Sequence, residues 1–373
     1  MTELQQLINE LCPNGVKFAA LEECCKILDN KRKPVTKAAR QAGEYPYYGA
    51  NGIQDYVSDY IFDGIFVLVG EDGSVVTPSG NPVVNWATGK IWVNNHAHVL
   101  EPKNTNIYFL CELLESLNYE QYNTGTAQPK LNQEVCKNIE LIVPDIIEQS
   151  KIGYFLTLVN KKLDLQQRKI EALKIYKKGL MQKLINSNNC EEKSVSEFGT
   201  IITGTTPSKL IHSYWNNGTI VWITPSDITE SKDIYNSHDM LTQDGLKAGR
   251  FVPAGSILIT CIASIGKNAI LKIDGSCNQQ INAIIPNKNF NADYLYYLFE
   301  MKKDYLQSTA GTSATSIINK SSFEKLVFKV PNLEEQNKIS KILNCLELKI
   351  ENEKLKFEKL TFFKKSLLQQ MFI

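Results

Sequence analysis

The residues best suited to chemistry lie in short polar clusters rather than in one catalytic motif. His96 and His98 alternate within a strand-like stretch, Lys90–Pro102, so we expect their side chains to share one face. Two imidazoles could ligate a metal ion, but no third ligand accompanies them, and zinc sites use three or four protein ligands. Polar packing or contact with a ligand is the favoured interpretation, and we predict no metal site.

Two loops have the composition of phosphate-binding segments. The first, "DNKRKP", spans Asp29–Pro34, and the second, "TGTTPSK", spans Thr203–Lys209. Ammonium groups, hydroxyls and backbone N–H groups are the donors that proteins use toward phosphate oxygens. An ordinary surface loop is the alternative for each. The candidate residues of the two loops are Lys31, Arg32, Lys33, Thr203, Thr205, Thr206, Ser208 and Lys209.

Other polar side chains could contact the edges of nucleobases. Asn and Gln can pair bidentately with adenine, and Arg or Lys with guanine. "YPYYGANG" (Tyr45–Gly52) places aromatics and an amide on a Gly-rich loop, with "VWITPSDI" (Val221–Ile228) as its counterpart. A buried aromatic cluster is the alternative for the tyrosines. The candidates of this group are Tyr47, Tyr48, Asn51, Asn94, Asn95, His96, Lys130, Ser226, Asn278, Gln279, Gln280 and Lys320.

Catalytic motifs are absent from the sequence. There is no G-x-x-x-x-G-K-[ST] phosphate loop, no Asn-Pro-Pro-aromatic motif for methylating an exocyclic amine, no Gly-rich cofactor loop and no zinc-ligand spacing. We therefore predict no catalytic residue, and a non-enzymatic chain is favoured over an autonomous enzyme.

The composition is that of a globular protein with two or three domains. The 373 residues are 43% hydrophobic and carry a net charge of +1, which is weak evidence against a protein that binds nucleic acid alone and does not exclude local basic surfaces. No apolar run of about 18 residues is present, so no membrane span is expected. The start lacks the apolar region of a secretory signal. Nine unpatterned cysteines fit reduced thiols, and we expect a cytoplasmic protein.

The chain contains a long internal repeat. "NTGTAQPKLNQEVCKNIELIVPDIIEQSKI" (123–152) matches "TAGTSATSIINKSSFEKLVFKVPNLEEQNKI" (309–339), and from Asn132 and Asn319 onward the offset stays at 187 residues. A long period that occurs twice indicates duplicated domains rather than a solenoid. We predict α/β (α+β) blocks at 1–144 and 191–331, each followed by a helix, at 145–190 and 332–373.

Each repeat ends in a predicted helix of about 40 residues, roughly 60 Å long. A Pro precedes Asp145 or Asn332, the expected N-caps, and Glu148 or Glu335 follows as in a capping box. Apolar residues then recur at alternating steps of four and three, the heptad of a left-handed coiled coil. The seam residues are Ile152, Leu156, Val159, Leu163, Ile170, Leu173, Ile339, Leu343, Leu346, Ile350, Phe357 and Leu360.

We expect the two helices to pack on each other. If a pseudo-two-fold axis relates the repeats, the helices run antiparallel. Polar residues interrupt the seams at matching places and would fix the register; these are Gln166, Lys177, Glu353 and Lys364. The alternative is that each helix packs only on its own block.

The layout resembles the DNA-specificity subunit of type I restriction–modification enzymes. "LCPNGVKFAALEE", "YPYYGANGI", "GTSATSI", "VPNLEEQNKISKIL" and "VPDIIEQSKIGYFLTLVNKKLDLQQRKIEALKIYKKGLMQKL" are typical of its members, and the resemblance covers essentially the whole chain. It implies that each block is a target recognition domain reading one half of a bipartite site in double-stranded DNA, in the major groove. The antiparallel helices would set the spacer between the half-sites.

The resemblance also implies partners and their cofactors. Two modification (methyltransferase) subunits would dock on the helices and bring S-adenosylmethionine. Restriction subunits, where present, would bring ATP and Mg. The family pattern does not fix which residues touch bases, so the candidates above are chosen from loops.

Two other classes of function stay open at this point. A coiled-coil scaffold could join two ligand-binding α/β modules without nucleic acid, and it would show no salt-dependent DNA binding. A stand-alone DNA methyltransferase would bind S-adenosylmethionine by itself, which the missing motifs make unexpected.

Overall fold

The structure is a computed structural model that describes residues 16–72, 83–125, 129–186, 190–310 and 317–372. The chain divides into two compact units, Met1–Arg168 with Leu355–Ile373, and Lys169–Lys354. Each unit contains one of the predicted α/β blocks together with parts of both long helices. The N-terminal residues 1–15 and most of the repeated Gly-Thr loops, 126–128 and 311–316, lie outside the described residues.

The first block is built around a six-stranded sheet with the order β2-β7-β5-β6-β3-β4, beside a two-stranded pair of β1 and β8. Its elements are β1 Lys17–Ala20, α1 Leu21–Cys24, β2 Cys25–Ile27, β3 Ala42–Gly49, β4 Gly52–Val57, β5 Phe62–Gly70, β6 Val84–Val93, β7 Ala97–Pro102, α2 Ile107–Ser116, α3 Gln133–Lys137 and β8 Glu140–Val143.

The two faces of this sheet line separate apolar cores. Along β5, Val67 and Val69 pack with α2, whereas Phe66 and Leu68 pack with residues of β6 and β7 on the opposite face. The alternation follows from the two-residue period of a strand. The prediction of a buried strand at "GIFVLVG" is confirmed.

The second block has the same plan, with one strand divided. The first long helix, α4 Ile146–Ile185, follows the first block in the chain. The elements of the second block are β9 Glu191–Ser194, α5 Val195–Phe198, β10 Gly199–Thr203, β11 Ile220–Ile223, β12 Asp233–Ile234, β13 Asp239–Leu241, α6 Gln243–Ala248, β14 Ile257–Thr260, β15 Asn268–Leu271, β16 Gly275–Cys277, β17 Ile281–Pro286, α7 Ala292–Met301, α8 Lys303–Thr309, α9 Lys320–Glu324 and β18 Val327–Val330. The chain ends in the second long helix, α10 Leu333–Phe372.

The division affects the counterpart of β6. In the second block, β15 pairs with β14 while β16 pairs with β11, so one long strand of the first block corresponds to two short ones. The resulting sheets have the orders β10-β17-β14-β15-β12 and β13-β11-β16.

Both long helices begin as predicted. The Asp145 carboxylate accepts hydrogen bonds from the backbone N–H groups of Ile147 and Glu148, each at 2.9 Å, and the Asn332 amide oxygen accepts one from Glu335 N at 3.0 Å. An N-cap side chain satisfies donors that the helix leaves unpaired.

The predicted seams are confirmed along both helices. Every seam position is buried or half-buried, including the polar interruptions, of which Glu353 is buried. In the second unit, Lys169 pairs with Glu353 at 3.0 Å and Lys177 pairs with Glu347. The residue number falls in one helix as it rises in the other, so the two helices run antiparallel, as predicted.

Each helix also packs on a block, so the alternative interpretation is true in part. Ile152 and Leu156 belong to the apolar core formed with α2, and this core also contains Leu367 from the second long helix. The equivalents Ile339 and Leu343 belong to the core formed with α7.

The repeated Glu-Gln pair forms a joint between each long helix and its block. The buried Gln149 side chain donates to the Pro144 carbonyl at 2.9 Å and accepts from the backbone N–H of Asn106, the N-cap of α2, at 2.9 Å. Gln336 repeats both bonds with Pro331 and Asn291, at 2.9 and 3.0 Å. We call this arrangement the glutamine joint.

A repeated lysine interrupts each seam and carries a half-buried charge. In the first unit, the Lys364 ammonium lies 2.7 Å from the Glu112 carboxylate and 3.6 Å from that of Glu115. Its equivalent in the second unit, Lys177, pairs with Glu347 and lies 5.5 Å from the ring centroid of Tyr297. The lysine is repeated in both units, whereas its carboxylate partner lies on the short helix in the first unit and on the long helix in the second.

The eight cysteines of the described residues are all free thiols, as expected from their spacing. Burial raises the pKa of Cys25, Cys261 and Cys277 to about 12. Among the described residues, no helix has a stretch long and apolar enough to cross a membrane.

Replacing the glutamine of the joint should destabilise the block that it holds. Gln149→Ala removes the partners of a buried N–H and a carbonyl, which costs about 1–3 kcal/mol of unfolding free energy. Urea unfolding followed by circular dichroism measures this loss. Gln182→Ala, at an exposed position of the same helix, should stay within about 0.5 kcal/mol of the parent. Equal stability of the two variants would contradict the joint's role.

Removing the Lys364 ammonium should leave two neighbouring carboxylates on α2 without their cation. We expect Lys364→Met to lower the unfolding free energy by about 3–5 kcal/mol at neutral pH, against little change for the exposed Lys365→Met.

The deficit should shrink on acidification. Burial raises the pKa of Glu115, Glu112 raises it further, and Lys364 lowers it. A raised acid pKa costs stability above the pKa of the unfolded chain, and the cost is relieved as the pH falls through the folded pKa. Without Lys364 this cost is larger, so unfolding curves between pH 7 and 5 should converge for the variant and the parent. Curves that stay parallel would argue against the charge mechanism.

Candidate nucleic-acid interface

Three segments of the first block meet at one edge of its sheet: the basic loop after β2, the turn after β6, and the end of β3. Lys33 N donates to the Val93 carbonyl at 3.2 Å, and Asn94 N donates to the Tyr48 carbonyl at 3.0 Å. The Trp92 indole N–H donates to the Lys33 carbonyl at 2.7 Å. These bonds join the two clusters of predicted site residues into one surface, which we call the reading edge.

The second block forms a reading edge with the same backbone bonds. Thr205 N donates to the Cys277 carbonyl at 2.9 Å, and Asn278 N donates to the Ile223 carbonyl at 2.9 Å. The Trp222 indole N–H donates to the Thr205 carbonyl at 3.0 Å. The predicted correspondence between the loops is therefore confirmed by the hydrogen-bond pattern.

The two asparagines of this edge shape its turns. The Asn94 side-chain oxygen accepts from His96 N at 2.8 Å, and the Asn278 side-chain oxygen accepts from Gln280 N at 3.0 Å. Both residues are buried. Asx turns of this kind use the short amide to fold the backbone. We therefore correct the expectation that Asn94 and Asn278 face a base.

Tyr47 and Tyr48 of "YPYYGANG" are core residues, which confirms the alternative interpretation for these two, whereas Tyr45 is half-buried. Tyr47 is 1% exposed, and its hydroxyl accepts from Val35 N at 3.0 Å. Tyr48 is also buried, and burial raises the pKa of its phenol. Neither ring can reach a base from this position, so both leave the candidate interface.

Arg32 lies inside the block, in contrast to its neighbours Lys31 and Lys33. Its guanidinium donates to the Glu71 carboxylate at 2.5 Å and to the Ala97 carbonyl at 2.8 Å, and it lies 3.3 Å from the Asp29 carboxylate. These bonds hold the basic loop on the sheet. A phosphate would have to displace them, so Arg32 serves as a support for the loop.

His98 completes this internal network. Its Nδ1 lies 2.6 Å from the Asp29 carboxylate and its Nε2 lies 2.7 Å from the Leu131 carbonyl oxygen. Burial tends to raise the pKa of Asp29, but the bond and charge of His98 and the charge of Arg32 hold it below its ordinary value. Asp29, Glu71 and His98 could surround a metal ion, but the Arg32 guanidinium already supplies the cation for both carboxylates.

The expectation that His96 and His98 share a face is wrong. Strand β7 begins at Ala97, so His96 belongs to the preceding turn and is exposed, while His98 is fully buried. The His96 imidazole lies 2.5 Å from the Asp72 carboxylate. Only His96 remains accessible to a ligand.

The exposed candidates divide between the two blocks. In the first block they are Lys31, Lys33, Asn51, Asn95, His96 and Lys130, and in the second they are Thr206, Ser208, Lys209, Ser226, Gln279 and Lys320. Thr203, Thr205 and Gln280 are half-buried. Lys320 lies in the first turn of α9, where it pairs with Glu324 at 3.5 Å, and none of the bonds described above joins it to the reading edge.

Sequence reasoning did not select four residues of the edge. These are the aromatic residue Trp222 and three charged residues that lie beside the aromatic rings, Arg40, Asp55 and Asp239. Asp55 lies opposite Tyr47 in the β3–β4 pair, and Asp239 lies opposite Trp222 in the β11–β13 pair. No local motif marks these pairs, because strand register brings them together. In the second block, a pocket of about 460 Å³ adjoins them, lined by Lys209, His212, Trp215, Asn217, Gly218, His238, Asp239 and Met240.

Comparison with known proteins identifies the family. The model of the type I restriction modification DNA specificity domain matches twice, at residues 13–174 and 187–361. A chain of Haemophilus influenzae named for a type I restriction enzyme specificity subunit is 29% identical over 349 residues, which cover 89% of this chain and 88% of the relative. The MjaIX specificity subunit of Methanocaldococcus jannaschii is 35% identical over 187 residues, or 48% of this chain and 43% of that protein.

Solved structures agree on the fold. The type I restriction–modification S subunit from M. genitalium superposes with a TM-score of 0.64 at 14% identity, covering 96% of this chain and 97% of that chain. A second solved chain, described with the complex assembly and conformational transition of the type I R-M system, superposes with a TM-score of 0.61 at 13% identity. The match covers 96% of this chain and 98% of that chain. The interpretation as a scaffold without nucleic acid finds no support in these comparisons. The chain belongs to the type I restriction–modification DNA specificity family and carries two copies of its domain.

Proposed function

We propose that this chain is the non-catalytic subunit that directs a cytoplasmic type I restriction–modification complex to double-stranded DNA. Each reading edge would contact one half of a bipartite site in the major groove. The observation that carries the proposal is the duplicated edge: the same two backbone hydrogen bonds present different side chains in the two blocks. One edge offers lysines and asparagines, and the other offers hydroxyls, a lysine and glutamines.

The paired long helices would set the number of base pairs between the half-sites. Each helix has 40 residues, and each is tied to a block through a glutamine joint. Base pairs are read at fixed positions along a duplex, so rigid attachment of each reader determines the spacing.

The long helices would also dock two modification subunits. Large apolar side chains are exposed at equivalent positions of the repeat, where Ile175 and Tyr176 correspond to Phe362 and Phe363. Ile146 and Leu333 form a third equivalent pair. Exposed apolar side chains in clusters are typical of protein interfaces. Their duplication at an offset of 187 residues supports two copies of one partner.

The chemistry would belong to the partners. The modification subunits would bring S-adenosylmethionine and the methylating residues, and restriction subunits, where present, would bring ATP and Mg. In this chain the catalytic motifs for these reactions are absent from the sequence.

Docking can be tested by counting bound modification subunits. Native mass spectrometry should show two per chain for the parent and one each for Ile175→Glu and Phe362→Glu, because a buried carboxylate is costly in an apolar interface. The double variant should bind none. Thr361→Glu adds the same charge at the neighbouring exposed position and should keep two. Two bound copies in the double variant would place the docking surface elsewhere.

The recognition role can be tested by single-molecule methylation sequencing. The chain is expressed with a modification subunit in a host that lacks other methylation, and each subunit is also expressed alone. A bipartite methylated motif should arise only when both are present. Exchanging residues 15–144 for the block of another family member should change one half-site only. No motif, together with no DNA binding by the complex at low salt, would overturn the proposed function.

A further inference from the structure

Each reading edge holds a cation against an aromatic ring and beside a carboxylate. In the first block, the Arg40 guanidinium carbon lies 4.1 Å from the centroid of the Tyr47 ring. Arg40 Nη1 donates to the Asp55 carboxylate at 3.3 Å, and Nε donates to the Val35 carbonyl at 3.1 Å. The Arg40 side chain is 15% exposed, so the ring and the carboxylate fix its position at the surface.

The second block holds Lys209 in the same way. Its ammonium lies 4.2 Å from the Trp215 ring centroid and 5.3 Å from that of Trp222, and it contacts the Asp239 carboxylate at 2.6 Å. The two indole rings pack edge to face at 5.0 Å. Lys209 forms part of the wall of the 460 Å³ pocket described above, so solvent and ligand can reach it.

The two arrangements occupy the same place in the repeat. Tyr47 pairs with Asp55 across an antiparallel register, and Trp222 pairs with Asp239 across the equivalent register. Tyr47 also pairs with Trp92 of β6 in parallel, as Trp222 pairs with Ser276 of β16. Each cation comes from the segment that connects the preceding strand to this position, 28–41 or 204–219. The type of cation differs between the blocks, whereas the carboxylate is Asp in both.

A pair of opposite charges is a poor anchor for DNA phosphates. Its net charge is zero, and the carboxylate repels a phosphate that approaches the cation. The pKa values of Asp55 and Asp239 lie below their ordinary range, because a backbone N–H and Arg40 stabilise the first carboxylate and Lys209 the second. Both carboxylates are therefore charged at neutral pH.

The same pair is complementary to a G·C base pair in the major groove. Guanine presents two acceptors there, O6 and N7, which Arg or Lys recognises, and cytosine presents the N4 amino donor, which Asp can accept. An A·T pair presents the N7 acceptor and the N6 amino donor on adenine, followed by the O4 acceptor and the methyl group on thymine, so its donor lies between two acceptors. A cation that supplies two donors next to a carboxylate acceptor therefore matches the order of groups in a G·C pair and not the order in an A·T pair.

We propose that Arg40 with Asp55, and Lys209 with Asp239, each read one G·C base pair, one in each half of the target. The proposal rests on the proposed function and adds the residues and the base pair to it. The competing explanation is that both pairs only hold their connecting segments in place.

Methylation sequencing of the assembled complex with single variants tests the proposal. Lys209→Met should lower discrimination for G·C at one position of one half-site by roughly 5- to 150-fold and leave the other half-site unchanged. Arg40→Met should do the same in the other half-site. Arg40→Lys keeps a donor for guanine and should retain the G·C preference in weaker form. Thermal unfolding of each variant shows whether the fold is kept.

The controls separate base reading from general attraction and from support. Lys247→Met removes the cation of an exposed Lys–Asp pair that lies on α6 and should leave the motif unchanged. Lys31→Met, in the basic loop, should weaken methylation of all sites equally. Folded Arg40→Met and Lys209→Met variants with an unchanged motif would show a supporting role and overturn the proposal. A parent half-site made only of A·T pairs would overturn it for that block, and a parent without any motif would overturn the proposed function as well.

Discussion

The glutamine joint is the contact on which the arrangement of each unit depends. One buried amide binds both the carbonyl that precedes the long helix and the N–H of the residue that caps the short helix, so the two helices share a fixed crossing point. The first unit reinforces this crossing with Gly153, where a Cβ atom would lie 2.8 Å from the Asn106 side chain. The second unit has Ser340 at the equivalent place, buried in the same region of the helix. A rotation of one helix against the other would leave a buried polar group of the joint without its hydrogen-bond partner. Because this costs free energy, the joint resists small rotations of the two helices.

The two repeats share the same backbone hydrogen bonds but differ in the side chains that this backbone positions. The capping asparagines, the glutamine joint and the bonds of the reading edge recur in both units. Two features differ between the units. Strand β6 of the first block corresponds to two separate strands of the second block. The carboxylate that pairs with the seam lysine lies on the short helix in the first unit and on the long helix in the second. A carboxylate partner on a different helix is tolerated because the lysine stays paired in both units. A buried charge without any partner would cost far more stability than a change in the partner's position.

The long helices were predictable because their signals are local. A proline, a capping residue and a heptad seam fall within one segment, and the structure confirms each of them. The reading edge was predictable only in outline. A short amide in a polar turn has the same appearance in sequence whether it folds the turn, as Asn94 does, or faces solvent, as Asn95 does. Arg40 and Asp55 could not be found, since their meeting depends on the register of strands that are remote from any motif.

The local pairing of cations with carboxylates in and beside the reading edges is consistent with the chain's net charge of +1. Arg32 is paired with Glu71, Arg40 with Asp55 and Lys209 with Asp239, all within or beside the reading edges. Sequence-independent affinity for DNA arises from cations that release counterions from phosphates, and paired cations contribute little to it. Under the proposal that the two charge pairs read G·C base pairs, the chain would gain discrimination between base pairs without strong attraction to every duplex. Under the same proposal, the modification subunits would supply the phosphate contacts needed for tight binding, and the complex would bind firmly only after both parts had assembled.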